Sequence, residues 1–294
     1  MNLDEKIISA LKDLDYKEAT EIQKKAIPIA LKKRDILAAA QSGTGKTAAF
    51  LLPILTELIA NKQPNKPVLR TLILVPTREL ASQISKAAED LGKYLDVQKL
   101  AVFGGVSTKE QEKKIAKGLD ILVATSGRLM EHLKNGTVDL SSVTTVVIDE
   151  VDTMLDMGFL EDIEKILPSV GPKRQIMMFS ATMNQNVKKL AKEFLTDPVV
   201  VEVAQQRSAV KIIDQQIVLV DEANKAAALS YIIGSKNYSQ VLVFVNMKIE
   251  ADKLVEHLEL DGLPAACIHG DVRQTARAKA LKKFKAGDIR VLVA

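Results

Sequence analysis

The stretch Ala40–Thr47, AQSGTGKT, gathers residue types that bind phosphate. Its glycines let the backbone N–H groups of Ser42, Gly43, Thr44 and Gly45 converge on phosphate oxygens, at the positive end of the helix that follows. Lys46 is long enough to reach β- and γ-phosphates, and the Thr47 hydroxyl suits a Mg²⁺ ion. The pattern departs from the usual phosphate loop only at Ala40, where a glycine is the norm. Further along, TTVVIDEVD (144–152) is an apolar run that ends in three carboxylates around one valine. Asp149 is placed to hold a Mg²⁺-bound water, and Glu150 to orient or deprotonate an attacking water. Paired acids also occur as plain solvated strand ends; the phosphate loop upstream favours phosphoryl chemistry.

Such residues need rigid elements beneath them. The runs DILAAA (35–40), TLILVP (71–76), KLAVF (99–103), DILVAT (120–125), TTVVID (144–149), QIMMFSA (175–181) and VVVEV (199–203) read as strands. Between them lie helical patterns at 19–32, 46–61, 79–94 and 185–195. Alternation of this kind, with strands apolar throughout, predicts an α/β fold whose parallel sheet is covered on both faces. The polar, aperiodic AQQRSAVK (204–211) reads as a linker. Strands resume at IDQQIVLVD (213–221), VLVFV (241–245), AACIHG (265–270) and IRVLVA (289–294). The expected organisation is a first domain over 1–205, a linker over 206–211 and a partial second domain over 212–294. Ending inside a strand is expected to leave apolar sheet edge unpaired, as in a truncated chain.

Composition narrows the function classes. The 294 residues suit about two domains at roughly 150 residues each. Hydrophobic residues at 47% and charged residues at 27% exclude disordered and fibrous chains. No apolar run approaches the ~20 residues of a membrane helix, and the N-terminus has no secretory apolar core, so a cytoplasmic location without membrane contact is expected. One cysteine, Cys267, excludes an internal disulfide. His132, His257 and His269 lack ligand partners at metal spacing and read as structural. Up to residue 205 there are 28 basic and 27 acidic residues, and 13 and 10 beyond it. That is too even for a broadly basic nucleic-acid binder, so any such contact must be local. With no Trp, four Tyr and seven Phe, a long base-stacking platform is also excluded.

Taken in order, Gln23 in YKEATEIQ, AQSGTGKT, PTRELA (76–81), Gly104–Gly105, TSGR (125–128), DEVD (149–152), SAT (180–182), VFVN (243–246), HGD (269–271) and QTAR (274–277) resemble the motifs of the DEAD-box ATP-dependent RNA helicases. The resemblance covers essentially the whole chain. It implies two RecA-like P-loop domains with parallel sheets, the second incomplete, using ATP and Mg²⁺. Gln23 would read adenine, since a carboxamide can donate and accept on its N6/N7 edge, and Tyr16 would stack on the ring. Asp149 and Thr47 would hold the metal, with Glu150, Asp149 and Lys46 catalytic. Ser180 and Thr182 would couple Asp152 to the RNA side. Pro76, Thr77, Arg78, Gly104, Gly105, Thr125, Gly127 and Arg128 would contact RNA through its sugar-phosphate backbone, independent of sequence. In the second domain Gly270, Gln274 and Arg277 match RNA-path positions; they read equally well as a helix N-terminus with a solvated face.

Departures from the family pattern are Val151 for the alanine of DEAD, Ser126 for a proline, and Asp15 where a glycine precedes the aromatic. The chain also ends at Ala294, before the family's arginine-finger motif. Slow hydrolysis by the 294-residue chain is therefore expected. A non-catalytic, ATP-gated RNA-binding module and a related motor acting on DNA are the alternatives.

Overall fold

Alternate residues of the central apolar runs pack into different cores, which is why those runs are buried whole. In a computed structural model describing residues 3–41, 43–61, 67–203 and 214–294, Leu72 and Leu74 enter one apolar cluster while Ile73 and Val75 enter the other. Their strand, β2 (Thr71–Val75), is one of seven in a sheet with β1 (Ile36–Ala39), β3 (Lys99–Val102), β4 (Ile121–Thr125), β5 (Thr145–Ile148), β6 (Gln175–Ser180) and β7 (Val199–Glu202). The order is β3-β4-β2-β5-β6-β1-β7, and every pairing is parallel. Period-2 alternation between two buried faces gives the continuous apolar strands that the sequence displays.

Helices α1 (Glu5–Asp13), α2 (Glu21–Leu31), α3 (Lys46–Ala60) and α4 (Arg78–Leu91) cover one face through residues such as Ile7, Ile22, Phe50, Leu55 and Ile84. The other face is covered by α6 (Ser126–Lys134), α7 (Val151–Asp156), α8 (Leu160–Ile166) and α9 (Gln185–Phe194), while α5 (Thr108–Ile115) caps the β3 side. At the end of the sheet opposite the motif loops, Asp35 accepts from the Ile176 and Thr196 backbone N–H groups at 2.8 Å each. Gln175 donates there to the Ala30 and Arg34 carbonyls. These buried bonds fix the register of β1, β6 and the approach to β7.

The chain divides into two compact units, residues 1–207 and 208–294. In the second, β8 (Val241–Val243), β9 (Ala265–Cys267) and β10 (Val291–Val293) form a parallel sheet in the order β8-β10-β9. Helices α10 (Lys225–Ser235) and α11 (Lys248–Leu260) pack a small core around Ile233, Ala251, Leu258 and Val291, and α12 (Gln274–Ala286) follows β9.

Three sequence expectations need correction. Residues 214–220 of the expected strand 213–221 have no regular structure, and Ile217 and Leu219 are 91% and 93% exposed. An apolar run does not make a strand without a neighbour to complete the ladder. The strand expected over 241–245 stops at Val243. The last strand is not an unpaired edge either: β10 is the central strand of its sheet, with Val291 and Val293 fully buried. The linker expectation at 206–211 and residue 213 lie outside the described residues.

Candidate nucleotide and RNA site

Parallel strands deliver their C-terminal ends to one edge of the sheet, and the sheet order sorts the motifs there. The loop after β1 holds AQSGTGKT, the end of β5 holds Asp149, and the end of β6 holds Ser180. These three strands are adjacent. The neighbouring trio β3, β4 and β2 ends at Gly104–Gly105, Thr125 and Pro76–Thr77. One half of the edge thus collects the phosphate and acid motifs, the other the motifs matched to RNA. An open parallel sheet binds ligands at this edge.

Gly43 and Gly45 both take left-handed φ values, +81° and +94°. Gly45 caps α3 without any side-chain cap, leaving that helix terminus open to an anion. A Cβ on Gly45 would come within 2.5 Å of Gln23 Nε2, so this position needs both the conformation and the absence of a side chain. Gln23 is 2% exposed: its Oε1 accepts from Thr20 N at 3.0 Å, and its Nε2 donates to the Gly45 carbonyl at 3.1 Å. The adenine-reading candidate is therefore also a brace for the phosphate loop. Tyr16 is 45% exposed just after Asp15, whose φ of 56° explains why glycine suits that position. Ser42 lies outside the described residues.

Lys46 is 6% exposed, and its Nζ is buried without a hydrogen-bond partner among the described residues. A buried ammonium left unpaired is expensive. Such a group fits the β/γ-phosphates of a nucleotide, as does the Gly45 cradle. Across from it, burial pushes the Asp149 carboxyl up to about 6, opposed by the Lys46 charge and the hydrogen bond from Glu150 N. Glu150 caps α7 in the left-handed region at φ 52°, a strained conformation of the kind that clusters at functional sites. Asp152 Oδ2 accepts from both the backbone N and the hydroxyl of Thr182, each at 2.9 Å. Burial pushes Asp152 up, but bonds from Thr182 and Ser180 outweigh it and hold the carboxyl below its ordinary value. The Ala40 N–H donates to the Ser180 carbonyl at 3.0 Å. Phosphate loop, DEVD and SAT thus form one connected assembly. Val151 is fully buried in the second core, so its extra carbons pack away from the carboxylates.

On the other half of the edge, Thr77 caps α4 by accepting from Leu80 N at 3.2 Å. The Arg78 guanidinium lies over Gly104 and Gly105; a Cβ on Gly105 would come within 2.4 Å of its Nη1. Pro76 is buried and Thr125 half-buried, while Gly127 has open space where a Cβ would stand. Ser126 occupies the first position of α6, where the family's proline would fit because no N–H is needed there. Arg128 is largely turned inward: Nη1 donates to the Val106 carbonyl and to Gln111 Oε1, and Nε pairs with Glu131 at 2.9 Å.

Gln111 went unnoticed in the sequence and organises this half. It is 4% exposed, donates to the Phe103 carbonyl at 3.1 Å, and accepts on Oε1 from Arg128 and His132. That arrangement assigns the proton of neutral His132 to Nε2. His132 is fully buried, and burial with Arg128 nearby holds its pKa below the ordinary value. One carboxamide therefore ties the glycine-pair loop to the TSGR helix. The only sequence signal was an uncharged residue inside the charged KEQEKK.

In the second unit Gly270 is exposed beside Lys248, and Gln274 and Arg277 stand in the first turn of α12, half-buried and 3.4 Å apart. His257 faces Asp261 one turn on at 3.4 Å. His269 departs from the expectation that it has no ligand-type neighbours: it meets Asp252 and Cys267, which sequence spacing did not bring together.

Residues 20–190 match the family model for DEAD/DEAH box helicases, and 224–294 match the helicase conserved C-terminal domain. The chain is 39% identical over 293 residues to the DEAD-box ATP-dependent RNA helicase CshA of Bacillus subtilis, covering all of this chain and 58% of that protein. Its Geobacillus kaustophilus counterpart is 37% identical over 294 residues, with 62% of its length covered. The chain thus spans about three-fifths of the curated relatives it matches. Among solved structures, a DEAD box protein from Methanococcus jannaschii aligns with a TM-score of 0.65 at 34% identity, covering 100% of this chain and 78% of that one. A Saccharomyces cerevisiae Dbp5 variant bound to Gle1 and IP6 aligns with a TM-score of 0.75 at 25% identity, covering 99% and 72%.

Proposed function

The chain belongs to the DEAD/DEAH box helicase family, and from that premise we propose that it acts as an ATP-dependent RNA helicase, an RNA-stimulated ATPase that locally parts duplexes through closure of its two units. The observation that carries this reading is the unpartnered, buried Lys46 ammonium in the phosphate loop, joined through Ala40 and Ser180 to the Asp152–Thr182 link. Gly43, Thr44, Gly45 and Lys46 hold the triphosphate, Thr47 and Asp149 hold Mg²⁺, Gln23 and Tyr16 receive the adenine, and Glu150 orients the attacking water. Bound Mg²⁺ supplies charge neutralisation on the phosphoryl oxygens. Asp152, Ser180 and Thr182 relay the occupancy of that site to Thr77, Arg78, Gly104, Gly105, Thr125 and Gly127 on the adjoining strand ends, with Arg128 positioning the loop as well. ATP and RNA then strengthen each other's binding because both favour the closed form. The cytoplasmic setting belongs to the same reading.

Arginines opposite the γ-phosphate contribute roughly 10³–10⁵ in turnover. Arg290 is held by the carbonyls of Tyr238 and Ile233, Arg277 sits beside Gln274, and neither these nor Arg273 stands in a finger-like motif. The 294-residue chain by itself is expected to bind ATP and hydrolyse it slowly. The test is ATP hydrolysis in Mg²⁺, with and without single-stranded RNA or DNA of equal length, before and after joining the arginine-bearing segment of a longer relative. Low turnover that rises at least about a hundredfold with that segment and RNA is expected. Full RNA-stimulated turnover by the chain alone would overturn the arginine argument, and preference for DNA would overturn the RNA assignment. Bound ATP that is not hydrolysed even with the arginines in place would favour a non-catalytic, ATP-gated module.

A further inference from the structure

Strand β9 ends at Cys267, and the chain continues through Ile268 to His269 before turning at Gly270. Residues two apart on an extended segment face the same side. Here that side meets α11, which presents Asp252. The Cys267 thiol donates to Asp252 Oδ1 at 3.2 Å, and His269 Nε2 lies 3.0 Å from the same oxygen. The three donor atoms all lie within 4.8 Å of one another.

We infer that Asp252, Cys267 and His269 form a binding site for a divalent cation of the Zn²⁺ class. Tetrahedral zinc with bonds of about 2.0 Å to nitrogen and oxygen and about 2.3 Å to sulfur sets its ligands about 3.3 Å apart for N···O and about 3.5 Å for S···O. The observed 3.0 and 3.2 Å separations are a few tenths of an ångström tighter, so an ion enters by a small spreading of side chains already gathered. Thiolate, imidazole and carboxylate together suit Zn²⁺, whereas Mg²⁺ and Ca²⁺ select oxygen donors. Three protein ligands leave a fourth position open, and Asp252 is 54% exposed at its side chain, which gives the ion a way in.

Without a cation the thiol keeps its proton, since burial, with Asp252 beside it, pushes Cys267 up to about 11. Coordination forms the sulfur–metal bond and releases that proton to water. The ion would fasten the end of β9 to α11, where Lys248 and Asp271 already pair at 2.8 Å across the same two segments. The site belongs to the second unit and does not depend on the ATPase reading.

Co²⁺ titration of the whole chain tests this directly. Because Cys267 is the single cysteine, a sulfur-to-cobalt charge-transfer band reports on it alone, and Co²⁺ at the phosphate loop gives no such band. The expected result is a band saturating at one Co²⁺ per chain, erased by Zn²⁺ and absent in Cys267→Ser. Asp252→Asn and His269→Gln, checked for folding by circular dichroism, should each weaken the midpoint by at least about tenfold. No band at millimolar Co²⁺ would overturn the site. So would a band whose midpoint is unchanged in both of the latter variants, or one that saturates at one ion per two chains.

Discussion

At Lys46 the protein holds a buried ammonium that has no hydrogen-bond partner among the described residues but whose charge favours the buried Asp149 carboxylate. Replacing it with an apolar chain of similar length leaves that carboxylate without its counter-charge. Lys46→Met should therefore abolish ATP binding and push the Asp149 carboxyl further up from about 6, read by the pH dependence of the variant's stability. A variant that keeps ATP binding, or whose stability follows pH as the parent's does, would separate Lys46 from Asp149. Gln111 acts through hydrogen bonds instead, because both ends of its carboxamide are used. Gln111→Leu leaves Arg128, His132 and the Phe103 carbonyl short of a partner, and should cost roughly 2 kcal/mol of stability. Nucleotide titration should be unchanged in that variant and RNA affinity reduced; the reverse pattern would detach Gln111 from the RNA half of the edge. Lys46 was legible in the sequence because a phosphate loop constrains residue types in consecutive order. Gln111 was not, because its partners come from residues 103, 128 and 132, and only folding brings them together.

At the scale of elements, the positions of the motifs follow from strand order. Phosphate loop, DEVD and SAT end three adjacent strands, so a shift in one is felt by the next through bonds such as Ala40 to Ser180. Gly45 is where this arrangement is least tolerant. An alanine there would hold a left-handed conformation at about 1–2 kcal/mol and press its Cβ on Gln23, which in turn holds the Gly45 carbonyl. Gly45→Ala should weaken Mg·ATP by about tenfold or more, since each tenfold is about 1.4 kcal/mol; unchanged affinity would show that the loop yields without consequence. The strands of the first unit were readable because they are mostly apolar, the central ones on both faces, and are flanked by helical periodicity. Residues 214–220 end in the apolar run 217–220 yet have no regular structure and stay exposed, since an apolar run says nothing of a pairing partner. Strand order was not readable either; crossovers place β1 between β6 and β7, far from its neighbour in sequence.

The whole molecule is two units with unequal roles. The first carries the strand ends with the phosphate-loop and acid motifs and those matched to RNA, and the second adds Gly270, Gln274 and Arg277 at the turn after β9 and the start of α12. Even charge across the chain agrees with contacts made through backbone amides, hydroxyls and a few arginines, not through a basic surface. All of this depends on the phosphate loop binding nucleotide. The most direct measurement is an equilibrium titration of the 294-residue chain with fluorescent ATP in Mg²⁺, beside Lys46→Ala. Saturable one-to-one binding in the parent chain, weakened at least about a hundredfold in the variant, is the expected result. Equal affinity in the two proteins, or no binding by either, would contradict it.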